Sequence, residues 1–338
     1  MVQQLIMITL WIIIYGYMIT ASIEFGTGFY LFYGQLLIKQ ERLYMPLQNW
    51  LSPVSELINI GFVLIFTVVI GLSPEIVLNF QTPLVFCAVL AILLTVLKGA
   101  FFAMAELLPK GRKASKFFFA GNGVLGIFIP TVLSITLVIS EGGFSIYGAG
   151  GLFDFLTYMF SNLYFWSVMV IAIVSIFYIG AMHLVCFASS IRNRELTDHF
   201  RTIALFMSMP TVLASGFVFL GIELQNPDHF LRMLGDSWLF MFSLICLLVA
   251  VTLVFLRNYR FVFTLVMLQY FFAFFGYTVT HLPFLVYPDI VIDSRLSNWG
   301  QSGWFFLITL ITAPTLLSLL LLMRRRGVLR NAAFRKSN

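Results

Sequence analysis

The apolar residues of this chain fall in uninterrupted runs of about 20 residues or more, and this feature limits the fold more than any other. In a lipid bilayer only helices and closed barrels satisfy every backbone hydrogen-bonding group. Barrel strands would alternate apolar and polar residues over about ten positions, whereas these runs are continuous. Hydrophobic residues make up 60% of the 338 and charged residues only 10%, too few polar side chains to cover a soluble protein. The sequence therefore predicts an all-α, polytopic membrane protein.

We predict one transmembrane domain over residues 1–338 with about nine spans, near residues 5–33, 52–72, 83–107, 116–140, 163–190, 200–222, 235–256, 260–288 and 303–323. Each span can cross a hydrocarbon core of about 30 Å, because a helix rises about 1.5 Å per residue. Of the 20 lysines and arginines, 17 then fall on one side, two on the other, and Lys98 inside a span. The positive-inside rule makes the rich side cytoplasmic. This predicts an N-terminus outside and a C-terminus in the cytoplasm.

The net charge of +6 does not indicate nucleic acid as a partner, because the basic residues cluster at the ends of the predicted spans. The three cysteines, Cys87, Cys186 and Cys246, all lie within apolar runs. They are expected to be buried hydrophobic residues rather than disulfide partners or metal ligands. The sequence contains no phosphate-binding loop, nucleophile elbow or zinc signature. It therefore predicts no catalytic residue in this chain.

Ionisable residues inside the spans are the candidate functional residues, because charge at membrane depth is costly. Glu24 and Lys98 each lie nine residues from the cytoplasmic end of a predicted span, which places both about 14 Å deep. Glu56 lies about 6 Å deep. Two compatible interpretations remain open: Glu24 and Lys98 form a structural pair, or Glu56 and Glu24 form a stepped path for cytoplasmic protons, with Lys98 tuning Glu24.

The histidines are poorly placed for a haem. A haem held by two imidazoles requires them at similar depth on facing helices. His183 is predicted about 10 Å from the cytoplasmic side and His281 about 31 Å from it, so these two cannot share one iron. His199 and His229 fall in predicted loops on opposite sides of the membrane. We therefore expect no cofactor and no metal bound by this chain, and interpret His183 and His281 as packing residues.

Several segments resemble subunit II of cytochrome bd-type quinol oxidases, in its short, Gram-positive-type form. Residues 21–28 (ASIEFGTG) are similar to the acidic segment of the family's first span, with Glu24 in place of its aspartate. Residues 52–59 (SPVSELIN) resemble the segment in which a proline, an acidic residue and an asparagine follow one another. Residues 137–143 and 281–288 are similar to the outer ends of the family's fourth and eighth spans. The resemblance covers nearly the whole chain.

This resemblance implies a bacterial plasma-membrane complex that oxidises quinol and reduces O₂ to water with cytoplasmic protons. It places b-type haems, haem d or a b variant, and the quinol site in subunit I, and leaves this chain haem-free. It implies two four-helix bundles plus one peripheral helix, with subunit I and membrane lipid as partners, and leaves open a small single-span subunit. Glu24 and Glu56 match the carboxylates proposed in the family for proton delivery, and Lys98 joins them as a proton-path candidate.

Two other functions were weighed from the residues. A secondary transporter would use the buried glutamate and lysine, but transporters often show inverted repeats, and we find no clear repeat. A membrane scaffold without turnover is the third hypothesis. A partner with haem absorption bands would favour the oxidase, and solute uptake by the isolated chain would favour the transporter.

Overall fold

The structure, a computed structural model, describes residues 2–34, 58, 61, 65, 81–108, 113–142, 151–288 and 290–291. The ninth predicted span, most of the second, and Glu56 lie outside the described residues. The described part contains nine helices followed by a short hairpin, in the order α1 Val2–Phe32, α2 Gln81–Leu107, α3 Lys113–Ser140, α4 Leu152–Ser161, α5 Leu163–Ser190, α6 Arg194–Gln225, α7 Pro227–Gly235, α8 Ser237–Phe255, α9 Val262–His281, β1 Phe284–Val286 and β2 Ile290–Val291.

Seven of these helices, α1, α2, α3, α5, α6, α8 and α9, are long and apolar enough to cross a membrane. The predicted all-α, polytopic class is confirmed, since the only strands among the described residues are the five residues of the antiparallel hairpin. The seven helices lie at the positions of seven of the predicted spans. Helix α9 ends at His281, well before residue 288, because Pro283 cannot donate the next helical hydrogen bond. The orientation and the two-bundle arrangement stay predictions.

Asparagine side chains set the start of three successive helices. The side-chain oxygens of Asn162, Asn193 and Asn226 accept hydrogen bonds from backbone N–H groups in the first turns of α5, α6 and α7. These N–H groups have no partner inside their own helix, so an asparagine cap satisfies them. The caps at Asn193 and Asn226 therefore determine where the chain turns before and after α6. The short helix α7 is thereby held against the end of α9.

The core is divided into two large clusters along the helix axes. One contains Tyr30, Tyr178 and Phe200, near the basic ends of α5 and α6. The other contains Met159, Tyr164 and other side chains from the opposite ends. Helix α5 is the central element, because it packs against α1, α3 and α6. By contrast, α2 and α8 leave many apolar side chains exposed, as surfaces facing lipid or another membrane subunit do.

Helices α1 and α5 meet through glycines. A Cβ on Gly26 would lie 2.7 Å from the carbonyl oxygen of Ile176 and 2.9 Å from the Cα of Gly180. Small residues at such crossings let helix backbones approach closely in a membrane. Gly16, on the same helix, has nothing within 4 Å of its Cβ position. Of these two glycines of α1, Gly26 is therefore required by packing and Gly16 is not.

We expect Gly26→Ala to destabilise the protein by about 1–3 kcal/mol, the usual cost of overpacking a close contact. Gly16→Ala makes the same chemical change on the same helix and should leave stability unchanged. The measurement is the thermal unfolding midpoint of the purified protein in detergent. Equal midpoints for the two variants would contradict the α1–α5 contact.

Candidate functional site

Buried acidic and basic side chains lie at two places in the described part of the chain. The first is the Glu24–Lys98 pair, between α1 and α2. The second, which we call the outer cluster, consists of Glu141, Asn226, His229, Tyr277 and His281. The pair lies near the middle of α3, where Lys98 packs against Gly126, and the outer cluster lies at the C-terminal end of α3.

The Glu24–Lys98 pair is a direct ion pair. The Lys98 Nζ lies 2.5 Å from the Glu24 Oε1, and the exposed fractions of the two residues are 6% and 0%. The same ammonium lies 5.2 Å from the centre of the Phe25 ring. Gly126 of α3 packs against the lysine stem, with its Cβ position 3.4 Å from the Lys98 Cε. The equal depth inferred from the sequence thus corresponds to direct contact.

Unbonded polar groups lie on one side of this pair. Thr27 and Asn122 are fully buried, and neither the threonine hydroxyl nor the asparagine amide has a hydrogen-bond partner among the described residues. Thr27 follows Glu24 by about one turn of α1, and the Asn122 amide lies 3.5 Å from the Cβ position of Gly28. Buried polar groups are rarely left unsatisfied, so such atoms indicate places for ordered water.

The opposite side of the pair is lined mostly by apolar side chains, against which the ring of Tyr17 also packs. Ala21 precedes Glu24 by about one turn, and Ile129 follows Gly126 by about one turn of α3. Both residues belong to a buried apolar cluster with Phe25. In the predicted orientation α1 runs inward and α3 runs outward, so the polar side of the pair faces the cytoplasm. Water can then approach Glu24 from the cytoplasm more readily than from outside.

The outer cluster is centred on the carboxylate of Glu141, the residue after α3. Its Oε1 accepts a hydrogen bond from Tyr277 at 2.5 Å and lies 2.8 Å from the Nδ1 of His229. Its Oε2 accepts one from Asn226 at 2.8 Å. The Nδ1 of His281 lies farther away, 3.5 Å from Oε1. Burial alone would raise the pKa of Glu141, but the two histidines outweigh it and hold that pKa well below its usual range.

Further hydrogen bonds bring together the ends of the helices that carry the outer cluster. Gln225, the last residue of α6, donates to the carbonyl oxygen of Gly142 at 2.8 Å. Its own side-chain oxygen accepts from Asn162 at 2.7 Å. Beyond α9, the N–H of Tyr287 donates to the carbonyl oxygen of Ser140 at 2.8 Å. The ends of α3, α6 and α9 are therefore held at one level.

The sequence prediction missed this cluster. His281 was compared in depth only with His183, and the structure also separates these two: His183 contacts Phe263 at the start of α9, whereas His281 ends that helix. The interpretation of His281 as a packing residue stays a prediction: its ring stacks on that of Tyr277 and lies 5.0 Å from that of His229, in a polar cluster. A depth comparison of His281 with Glu141 and His229 would have shown three such residues at one level.

The structure leaves the proposed roles of the candidate proton-path residues open. It brings Glu24 and Lys98 together, and Glu56 lies outside the described residues. Contact between two charges is compatible with both the structural and the proton-path interpretation. Their roles therefore stay predictions.

Three comparisons with known proteins agree. The family model of cytochrome bd terminal oxidase subunit II matches residues 2–325. A Bacillus subtilis (strain 168) protein described as a putative cytochrome bd menaquinol oxidase subunit II is 26% identical over 304 residues, covering 86% of this chain and 85% of that protein. A chain in the structure of bd oxidase from Geobacillus thermodenitrificans has a TM-score of 0.79 and 29% sequence identity, covering 95% of this chain and 97% of that one.

These matches extend over nearly the whole chain, so the resemblance found in the sequence is confirmed. None of them supports the transporter hypothesis. With seven helices that can cross a membrane, the protein is a multi-pass protein of the bacterial plasma membrane and a subunit of an oxidoreductase complex that contains haems and a subunit I. The chain belongs to the cytochrome bd terminal oxidase subunit II family.

Proposed function

We propose that this chain is the haem-free subunit of a complex that oxidises quinol and reduces O₂ to water, and that Glu24 passes cytoplasmic protons toward the haem-bearing subunit I. One observation carries the proton role. Glu24 is a fully buried carboxylate with unbonded polar groups on its predicted cytoplasmic side and apolar side chains on the other.

The histidine geometry supports a haem-free role. All four histidines lie in the described part of the chain. His229 and His281 are the closest pair, but their rings are in direct contact at 5.0 Å between centroids, so no porphyrin plane fits between them. His183 and His199 lie toward the other end, on α5 and near the start of α6. These imidazoles do not fit the two-sided ligation of a haem, and the haems of the complex are assigned to subunit I.

The polar groups of Thr27 and Asn122 support a water-filled approach to Glu24. Proton transfer over several ångströms requires a chain of hydrogen-bonding groups, and two buried unbonded side chains next to a carboxylate supply positions for water. The apolar residues on the outer side would stop such a chain at Glu24. A carboxylate that water reaches from one side only can take up cytoplasmic protons without leaking them outward.

Lys98 has a role in this proposal as the counter-charge of Glu24. An isolated carboxylate at this depth would be too costly to ionise. The adjacent ammonium stabilises the charged form, which is the form that accepts a proton. The structural and proton-path interpretations are therefore compatible. Glu56 is proposed as the step nearer the cytoplasm, on the family resemblance alone.

The partners follow from the same assignment. Subunit I would hold the quinol site, the b-type haems and haem d or a b variant, so quinol reaches this chain only through the complex. Subunit I and lipid would cover the exposed apolar side chains of α2 and α8. The proposal includes a small single-span subunit as a further partner. It does not include nucleic acid as a partner.

Glu24→Gln should slow quinol oxidase turnover about tenfold or more, the scale expected when a group that transfers protons is lost. The haem absorption spectrum of the complex should be unchanged. Glu195→Gln is the matched control, because it neutralises an exposed carboxylate in the first turn of α6. Quinol-driven O₂ consumption by the purified complex is the measurement. Normal turnover in Glu24→Gln would refute the proton role but not the family assignment.

Asn122→Leu separates a water path from packing. Leucine has a similar size and removes two polar atoms that lack hydrogen-bond partners among the described residues. Such a replacement is close to neutral or stabilising for the fold, so the thermal midpoint should not fall. Turnover should fall, because water loses the amide of Asn122 as a hydrogen-bonding group on the predicted cytoplasmic side of Glu24. A variant with full turnover and an unchanged midpoint would show that Asn122 takes no part in proton transfer.

The Glu24–Lys98 ion pair predicts which of two variants of the complex unfolds at the lower temperature. Lys98→Met leaves the Glu24 charge uncompensated, and breaking one partner of a buried pair costs about 3–5 kcal/mol. Adding Glu24→Gln removes that charge, so the double variant should unfold at a higher temperature than Lys98→Met alone. Thermal unfolding of the two complexes in detergent measures this. If the double variant were the less stable, the two residues would not be energetically coupled as a buried ion pair.

A further inference from the structure

The outer cluster is not used by the proposed proton path. We infer that Glu141, His229 and His281 form a binding site for one divalent transition-metal cation of the Zn²⁺ class. The carboxylate and the two imidazoles are all buried, and one ligand atom from each lies within 4.8 Å of the others. This inference does not rest on the proposed function, and it replaces the sequence-based expectation that the chain binds no metal.

His281 is the first observation. Only 8% of this residue is exposed, and neither ring nitrogen has a hydrogen-bond partner in the described part of the protein. Its Nδ1 lies 3.5 Å from the Glu141 Oε1, which is too long for a good hydrogen bond. Ligand bonds of about 2.1 Å would place two ligands of a tetrahedral zinc ion about 3.4 Å apart. The observed separation therefore suits two ligands of one ion, and the shorter 2.8 Å between Oε1 and the His229 Nδ1 would lengthen by about 0.6 Å on binding.

The protons around His229 provide the second observation. The hydroxyl of Thr280 lies 2.7 Å from the carbonyl oxygen of Gly276, to which a helical threonine commonly donates. That hydroxyl also lies 2.9 Å from the Nε2 of His229, so the imidazole donates its Nε2 proton to the threonine oxygen. In this tautomer the Nδ1 carries the lone pair that would bind a cation, on the side of the ring that faces Glu141.

The contacts behind the three ligands match those of metal sites. A histidine that binds a metal usually donates its other ring proton to a fixed acceptor, and a ligating carboxylate is itself hydrogen-bonded. Here Thr280 holds His229, while Tyr277 and Asn226 donate to the two oxygens of Glu141. These contacts orient the ligands before any ion arrives. A packing cluster would not require the nitrogens of His281 to remain unbonded.

The ligand types select the class of cation. Two imidazoles and one carboxylate are the ligand set of several zinc enzymes, whereas Mg²⁺ and Ca²⁺ prefer oxygen ligands throughout. The guanidinium of Arg232 lies nearby, since its Nε donates to the carbonyl oxygen of Thr280 at 2.8 Å. Its charge opposes that of a bound cation and reduces the affinity. An ion at this position would link the ends of α3 and α9 with α7.

The test uses the intact oxidase complex, freed of metals with a chelator, incubated with Zn²⁺ and passed over a desalting column. The zinc retained per complex is measured by mass spectrometry, with haem iron counting the complexes. We expect one zinc per complex in the wild type and at least a tenfold loss in His281→Gln. His183→Gln removes an imidazole outside the cluster and should retain zinc. Zn²⁺ should also raise the thermal midpoint of the wild type but not of His281→Gln.

A wild-type complex that retains no zinc after loading would overturn the inference and leave a purely hydrogen-bonded cluster. Equal retention by the wild type and His281→Gln would place the zinc elsewhere and overturn it as well. His281→Gln removes only a side chain without hydrogen bonds, so the variant is expected to fold. Glu141→Gln supplies a second ligand variant, which should also lose zinc. Oxidase turnover is not the readout, so these results are independent of the role of Glu24.

Discussion

The contact between Glu24 and Lys98 dictates how the first described helices are arranged. Each charge alone would cost several kcal/mol at this depth, and only a close partner offsets that cost. Helices α1 and α2 must therefore present the two side chains at the same level. Gly126 of α3 packs beside the lysine stem, where its Cβ position lies at van der Waals distance from the Lys98 Cε. One turn away, Gly123 allows a close approach of α3 to α1, because its Cβ position is 2.8 Å from the carbonyl oxygen of Gly28.

The side chains on the two sides of the pair along the membrane normal differ in polarity. This difference would make protons reach Glu24 from one side of the membrane rather than from the other. If both sides of the pair were apolar, water could not reach the charges. If both sides were polar, protons could pass through from one side of the membrane to the other. Instead Thr27 and Asn122 lie on the predicted cytoplasmic side, and Ala21 and Ile129 lie on the other. The family resemblance indicated a carboxylate that serves proton transfer. The side-chain environment adds the side from which protons would come.

The sequence predicted what depends on position along the membrane normal. The lengths of the apolar runs located seven helices, and residue counts placed Glu24 and Lys98 at one depth. The sequence did not predict the contacts of the outer cluster, which depend on lateral position. His229 was assigned to a loop, and its place against His281 is fixed by the Asn226 cap, the short helix α7 and the hydrogen bond from Gln225 to Gly142. None of these leaves a hydrophobic pattern, so depth counting alone could not bring His229 to Glu141.

Helix α3 carries both polar sites, yet the sites should act almost independently. Gly126 marks the level of the Glu24–Lys98 pair, and Glu141 lies 15 residues farther along the chain, which corresponds to about 22 Å. At an effective dielectric constant of about 20, two unit charges at that distance interact by about 0.8 kcal/mol. The pair is itself nearly neutral, so the remaining interaction with a cation at the outer cluster is smaller still. Along α3 between the two sites lie the apolar Val132, Ile135 and Val138, and the hydroxyls of Thr131, Ser134 and Thr136 donate to carbonyl oxygens of the same helix. A bound metal would therefore stabilise the outer end of the fold without changing the charge state of Glu24.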